Sequence, residues 1–230
     1  MELEAPHICD ECIFRQLSLK YLQKNEFDEL LNTSDKILVK KGDVIAKQGE
    51  VGTHVFFLHL GLLKFVYEGS SKKSVIISVR KGPTFVGVIS LLFKDRNSFS
   101  VVAIEDSIIC KIDIRTMENI FRKHGNYMMD FMKWEAEMLQ PSIANFINLA
   151  YKNLSGRIAG ILLYLQKYVY NEPGSEFGLT RQELAEIASC SVENVIKTLS
   201  AFKKEKLIEL KGKDIQIINQ EKLEHIHKVG

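Results

Sequence analysis

The sequence predicts an α+β chain in three parts: an antiparallel β-roll, one long helix, and a winged helix–turn–helix. Three observations predict it. Short Val- and Ile-rich runs separated by glycines fill residues 36–114, the pattern of an antiparallel sandwich or barrel. Apolar residues then recur every three or four positions over 126–151, lining one face of a helix about seven turns long. Lastly, two capped helical segments precede two short strands around a glycine turn within 180–218. The expected boundaries are 1–125 for the β-roll with a helical N-terminal segment, 126–151 for the long helix and 152–230 for the final domain.

A chain of 230 residues with 46% apolar and 26% charged residues can bury one large core or two modest ones. No run of 18 apolar residues occurs, so no membrane span is expected. The acidic stretch 1–10 lacks the apolar centre of a secretory signal, and the expected compartment is cytoplasmic. Four cysteines, Cys9, Cys12, Cys110 and Cys190, do not make a disulfide scaffold in a cytosolic chain of this size. The net charge of +2 argues weakly about partners, and residues 191–230 carry 8 lysines against 6 acidic residues.

Taken in order, residues 13–32 read as helical through Leu17, Leu22, Phe27, Leu30 and Leu31. Strands are expected at 36–40, 55–60, 62–67, 74–79, 100–104 and 108–112, and a short helix at 116–123. The helix over 126–151 carries Met128, Phe131, Met132, Met138, Leu139, Ile143, Phe146, Ile147 and Ala150 as one seam. A seam of that length predicts pairing with a second copy. Pro141 removes a backbone donor and predicts a kink near 137–140. A further helix is expected at 155–170, then a turn at 171–174.

Thr180 followed by Glu183 has the form of a capping box, starting a helix over 181–189. Cys190 and Ser191 break it, with Cys190 read as structural, and Ser191 caps a second helix over 192–206 with Val195, Leu199 and Phe202 inward. Strands at 207–210 and 215–218 flank the turn Lys211-Gly212-Lys213-Asp214, making a wing. Two short helices at this spacing are a helix–turn–helix. The outward residues of the second helix are Val192, Glu193, Ile196 and Lys197, and such a helix sets its first turn against base edges in the major groove. Glu193 suits a cytosine amino group, Lys197 a guanine and Ile196 a thymine methyl. With Thr180, Arg181, Ser191 and Lys213, they form the expected DNA-binding set. The competing reading of those charges is an ordinary solvated helix face.

At this point the chain clearly resembles the Crp/Fnr family of transcription regulators over nearly its whole length. The resemblance rests on Lys41-Gly42-Asp43-Val44-Ile45-Ala46-Lys47-Gln48-Gly49-Glu50, Val55-Phe56-Phe57-Leu58, Gly61-Leu62-Leu63-Lys64 and Gly82-Pro83-Thr84-Phe85-Val86-Gly87. In the C-terminal half it rests on Leu179-Thr180-Arg181-Gln182-Glu183-Leu184-Ala185 and Cys190-Ser191-Val192-Glu193-Asn194-Val195. It implies a cyclic-nucleotide-binding-like jelly roll, a homodimer, a palindromic promoter site and control of RNA polymerase. Val192-Glu193-x-x-Ile196-Lys197 is closer to the Fnr-branch pattern, implying TTGAT-like half-sites. Ile196 stands where that branch has serine and Lys197 where it has arginine, so the outer bases are read differently.

The resemblance also implies where an effector would sit. Members that bind cyclic AMP carry Gly-Glu and Arg-Ser or Arg-Thr in the phosphate cassette. The matching residues here are Gly87, Val88, Asn97 and Ser98. Valine accepts no hydrogen bond through its side chain and asparagine carries no charge, so cyclic AMP is not the expected effector. The Fnr branch implies an iron–sulfur cluster on N-terminal cysteines and one β-roll cysteine. Cys9, Cys12 and Cys110 match, and the third position falls on Ser18, a poor iron ligand, with His7 or water completing the set. Three readings stay open: an oxygen-labile cluster, a redox-active or zinc-binding pair, and cysteines without a cofactor.

Two other function classes compete with this reading. One is a β-roll sensor acting on a protein partner without DNA, against which the capped helix pair and the Gly212 wing argue. The other is an enzyme. No Ser/His/Asp set, phosphate-cradling loop or His-Glu metal pair is found, and His7, His54, His59, His124, His225 and His227 are scattered or terminal. The tail pair His225-x-His227 is expected to be solvated.

Overall fold

The computed structural model describes residues 12–70, 73–88, 96–170 and 177–230. The turn expected at 171–174 lies outside the described residues, as do His7 and Cys9. The elements in order are α1 (Ile13–Ser18), α2 (Lys24–Asn32), β1 (Ser34–Val39), β2 (Val44–Ala46), β3 (His54–Leu60), β4 (Leu62–Glu68), β5 (Ser74–Lys81), β6 (Thr84–Val86), β7 (Ser100–Ala103), β8 (Ser107–Asp113), α3 (Ile114–Lys123) and α4 (Gly125–Tyr151). There follow α5 (Leu154–Tyr164), a π-helical turn (Leu165–Tyr170), α6 (Arg181–Ala188), α7 (Val192–Lys204), β9 (Ile208–Lys211), β10 (Asp214–Ile217) and α8 (Gln220–Val229). No described helix is long and apolar enough to cross a membrane.

Two four-stranded sheets form, in the orders β1–β8–β3–β6 and β2–β7–β4–β5, with the β9–β10 pair as a third. Each strand expected from the sequence is present within two residues of its expected ends. The two missed strands, β2 and β6, have three residues each, too short to show a period of two. By its contacts the chain forms two compact units, Met1–Leu63 with Lys81–Glu137, and Lys64–Arg80 with Met138–Gly230.

In the first unit, β3 has Val55, Phe56, Phe57 and Leu58 all buried. Its apolar run is continuous because both faces of the sheet are covered. β3 lies between β8 and β6, with Phe57 opposite Cys110 and Phe85. The helical N-terminal segment and the start of α4 cover one face. There Phe14 stacks on Phe57 at 5.1 Å, and Phe85 meets Phe57 edge-on at 4.9 Å and Phe131 at 4.8 Å. Aromatic pairs add to the burial term in such clusters. The single helical segment expected over 13–32 is two helices. Gln23 and Glu26 form a reciprocal cap that starts α2, and Leu22 turns into the core at 5% exposure. Gly61 allows the tight β3–β4 turn: its φ is +113° and a Cβ there would come within 2.8 Å of the Ser107 Cα.

α4 runs 27 residues as one element through Pro141, without a break, and the boundary between the units falls at Glu137–Met138. Within the first unit its Phe131 is buried. Within the second, Leu139, Ile143, Phe146, Ile147 and Tyr151 are exposed, Phe146 at 72%.

In the second unit, α5, the π-helical turn, α6 and α7 share a core that includes Ile158, Leu162, Leu165, Leu184, Leu199 and Phe202. The helix expected over 155–170 widens after Tyr164, passing into the π-helical turn. α8 was not foreseen. It starts at Asn219, whose side chain accepts from the Lys222 amide, and it buries Leu223. Gly160 makes room for it, since a Cβ there would lie 2.7 Å from His227 Nδ1. The expectation of a solvated histidine tail is therefore corrected for His227, which is partly buried with Nδ1 3.2 Å from the Gly156 carbonyl; His225 is exposed. The β4–β5 hairpin belongs to the same unit. Lys64 Nζ donates to Glu183 Oε1 at 3.0 Å, Ser74 Oγ to Glu186 Oε1 at 2.9 Å, and Tyr164 OH to the Val79 carbonyl at 2.7 Å.

Candidate nucleic-acid interface and sensor positions

The C-terminal interface is built from local capping. The Thr180 hydroxyl accepts from the Glu183 amide at 3.1 Å, and the Thr180 amide donates to Glu183 Oε2 at 2.9 Å. This capping box satisfies orphan donors at the start of α6. Glu183 is buried at 8% exposure. Burial pushes its carboxyl up, but the Thr180 amide and the Lys64 ammonium outweigh it and hold the group below its ordinary value. α6 ends at Ser189, which takes the left-handed conformation at φ 51°. The Cys190 amide then donates to the Ala185 carbonyl at 3.1 Å, closing the turn. Cys190 is only half-buried, and burial pushes its thiol up.

Ser191 caps α7 by accepting from the Asn194 amide at 3.3 Å. Val195, Leu199 and Phe202 are buried at 0%, 1% and 3%, which fixes the rotation of the helix. Glu193, Ile196 and Lys197 are thereby turned to solvent, and Val192 is half-buried. Backbone hydrogen bonding at the helix start and the Ser191 hydroxyl hold the Glu193 carboxyl below its ordinary range. The wing has Lys211, Gly212 and Lys213 exposed, and Gly212 has φ +61° at the turn, as a primed hairpin turn requires. Thr180 and Ser191 are exposed at the starts of α6 and α7.

Arg181 differs from the rest of the expected set. Its guanidinium is directed at the wing, Nη1 donating to the Lys213 carbonyl at 2.9 Å and Nη2 to the Gly212 carbonyl at 3.1 Å. Burial lowers its pKa, with Asp214 pulling the other way. Neither this contact nor the Lys64–Glu183 pair was visible in the sequence. The first spans 32 residues and the second 119, and neither leaves a local pattern.

In the β-roll, the four positions matched to the phosphate cassette have different surroundings. Val88 is buried at 6%. Asn97 gives its side-chain amide to the Lys47 carbonyl at 3.1 Å, and neighbouring Arg96 donates to the Gly49 carbonyl at 2.8 Å. Ser98 is exposed and Gly87 is half-buried at φ +88°. A cavity of about 540 Å³ is lined by Gly87 and Asn97, together with Val44, His54, Phe56 and Lys111 among others; Val88 and Ser98 are not in its wall.

The described cysteines do not by themselves make a cluster site. Cys12 and Cys110 are both buried in the aromatic core of the first unit. Ser18 is fully buried, and its hydroxyl is 2.8 Å from the Tyr127 hydroxyl, so it is engaged there. Burial pushes the Tyr127 hydroxyl up to about 12, against the Ser18 hydrogen bond. No group of three His, Cys, Asp or Glu placed to hold a metal occurs among the described residues. The neighbour of Cys12 is His59, with Sγ 3.6 Å from Nδ1, a contact the sequence did not signal.

Comparison with known proteins agrees with both halves. A family profile described as "Cyclic nucleotide-binding domain" matches residues 36–124, and one described as "Crp-like helix-turn-helix domain" matches residues 156–226. The chain belongs to the Crp/Fnr family. It is 25% identical to the fumarate and nitrate reduction regulatory protein of Salmonella typhi, over 94% of this chain and 88% of that one. It is 24% identical to the protein of that name from Escherichia coli (strain K12), over the same shares. The fold is similar to that of FixK2 from Bradyrhizobium japonicum, with a TM-score of 0.75 at 16% identity, covering 84% of this chain and 96% of that one. It is also similar to that of the regulator CLP from Xanthomonas campestris, with a TM-score of 0.73 at 16% identity, covering 85% and 99%. This Crp/Fnr protein is a DNA-binding transcription regulator, and its relatives are regulators rather than enzymes. A β-roll module acting without DNA is not favoured.

Proposed function

We propose that two copies of this Crp/Fnr regulator pair along α4 and read a palindromic promoter site, acting on transcription through RNA polymerase. The observation that carries the reading is the rotation of α7: its apolar residues are locked inward while Glu193, Ile196 and Lys197 stand on the open face. Glu193 accepts from a cytosine amino group, Ile196 packs on a thymine methyl and Lys197 donates to guanine. Lysine lacks the arginine fork, so discrimination at that base is looser. Thr180, Ser191 and Lys213 meet phosphates, which set register rather than sequence. Pairing is supported by the exposed row of Leu139, Ile143, Phe146 and Ile147, which stays apolar in water unless covered. The β-roll takes its signal without cyclic AMP, because Val88 and Asn97 offer neither the carboxylate nor the cation that the nucleotide needs.

Fluorescence anisotropy with a duplex carrying two TTGAT-like half-sites about 34 Å apart tests this. Glu193→Ala is expected to lose about 1–3 kcal/mol on that duplex and nothing on a duplex already altered at the contacted base pair. Parent protein that binds a scrambled duplex equally well at every salt concentration overturns the reading.

A further inference from the structure

We infer that Arg181 is a positioning residue for the wing, clamping the Gly212–Lys213 turn to the start of α6 so that Lys213 is presented to the DNA backbone. The inference deepens the DNA-binding reading above and rests on it for its functional half.

Three observations carry it. The first is geometry: two donors of one guanidinium reach two successive carbonyls of one turn, at 2.9 and 3.1 Å. Those carbonyls lie at an exposed hairpin tip, where water is the alternative partner. The second is the weakness of the hairpin itself. β9 and β10 have four residues each, and a two-stranded hairpin of that length is marginal in water. Its base is held: Ile208, Ile215 and Ile217 are buried, and the Phe177 amide donates to the Ile215 carbonyl at 3.0 Å. At the tip, Lys211, Gly212 and Lys213 are all exposed, and Arg181 supplies the anchor there. The third is the position of Arg181 as first residue of α6, inside the Thr180–Glu183 capping box. Its backbone is flanked by the reciprocal Thr180–Glu183 hydrogen bonds, so the clamp ties the hairpin tip to a capped helix start. The fork is what the contact needs, since a lysine ammonium is a single point and does not span two carbonyls in plane. The alternative role for this arginine is direct phosphate contact, which asks the guanidinium to face outward.

The test uses the full chain and the palindromic duplex, with anisotropy titrations over a series of salt concentrations. Lys213→Ala is expected to weaken binding about tenfold and to lower the slope of log K against log salt by about one. Arg181→Ala and Arg181→Lys are each expected to match that loss, and Arg181→Ala combined with Lys213→Ala to be no worse than either alone. A double variant weakened by the product of the single losses, with the slope lowered by about two, overturns the inference. So does Arg181→Lys at parental affinity, or Lys213→Ala without effect. A second readout needs no DNA. In the free protein, ¹⁵N relaxation is expected to show the Gly212 and Lys213 amides ordered in the parent and mobile in Arg181→Lys, with the α6 and α7 amides unchanged. Equal order in both overturns the clamp itself, whereas an ordered wing in a parent that ignores the duplex overturns the DNA reading and leaves the clamp standing.

Discussion

The β-roll and the helix–turn–helix use their polar residues in opposite ways. At Asn97 and Ser18, two first-unit positions that the resemblance matched to ligand-holding residues, and at neighbouring Arg96, polar groups are spent on the protein. Asn97 donates to the Lys47 carbonyl, Arg96 donates to the Gly49 carbonyl, and Ser18 is hydrogen-bonded to Tyr127. In the helix–turn–helix, Glu193 and Lys197, the polar residues proposed to read bases, stand in solvent, while Arg181, Glu186 and the capping residues turn to the protein. The contrast shows that one frame serves two ends. A side chain that satisfies a backbone carbonyl at the sensing end is withdrawn from ligand chemistry, whereas the reading end keeps its recognition face open because its caps are supplied by other residues.

Glu183 is the sharpest point of that comparison, since it is the inward carboxylate of the reading end. Glu183→Ala removes half of the capping box and strands Lys64, and about 2 kcal/mol of stability is expected to go in chemical denaturation. The pH dependence has a definite sign. The folded carboxyl lies below its ordinary value of 4.5, so its contribution is complete above that value and is lost as the pH falls through the folded one. Thermal unfolding at pH 7 and pH 4 is expected to show the parent losing more than Glu183→Ala. An equal loss in both breaks the assignment.

Ser18 is the next test, at the sensing end. If it serves the core, Ser18→Ala leaves a buried tyrosine hydroxyl without a partner and costs about 1–2 kcal/mol in denaturation. A variant as stable as the parent removes Ser18 from the structural side of the comparison. The smallest expected effect is a null one. Saturating cyclic AMP raises the melting temperature of a protein that binds it, and here no shift is expected in a thermal scan. A rise of several degrees breaks the contrast outright.

Much of this was legible in order along the chain. Thr180, Glu183 and Ser191 announced two helix starts because capping is local chemistry within four residues. Val195, Leu199 and Phe202 announced the inward face of α7 because helical periodicity follows from backbone geometry. Val88 and Asn97 announced two positions that offer neither a carboxylate nor a cation, because a missing charge is a property of the side chain itself. Local signals were weaker where elements are short, as in β2 and β6, or where a new helix follows after a few residues, as in α2.

What the sequence by itself determined is therefore the set of elements, their faces and the chemistry that each side chain can offer. Only the tertiary structure decided which partner each polar group takes: Arg181 the wing turn, Lys64 the buried Glu183, Ser18 the Tyr127 hydroxyl, Cys12 the His59 ring, and α8 the groove over Gly160. These pairings join residues from 31 to 119 positions apart. No short-range pattern encodes them, because they are chosen by competition for burial and hydrogen bonds after the chain has folded back on itself.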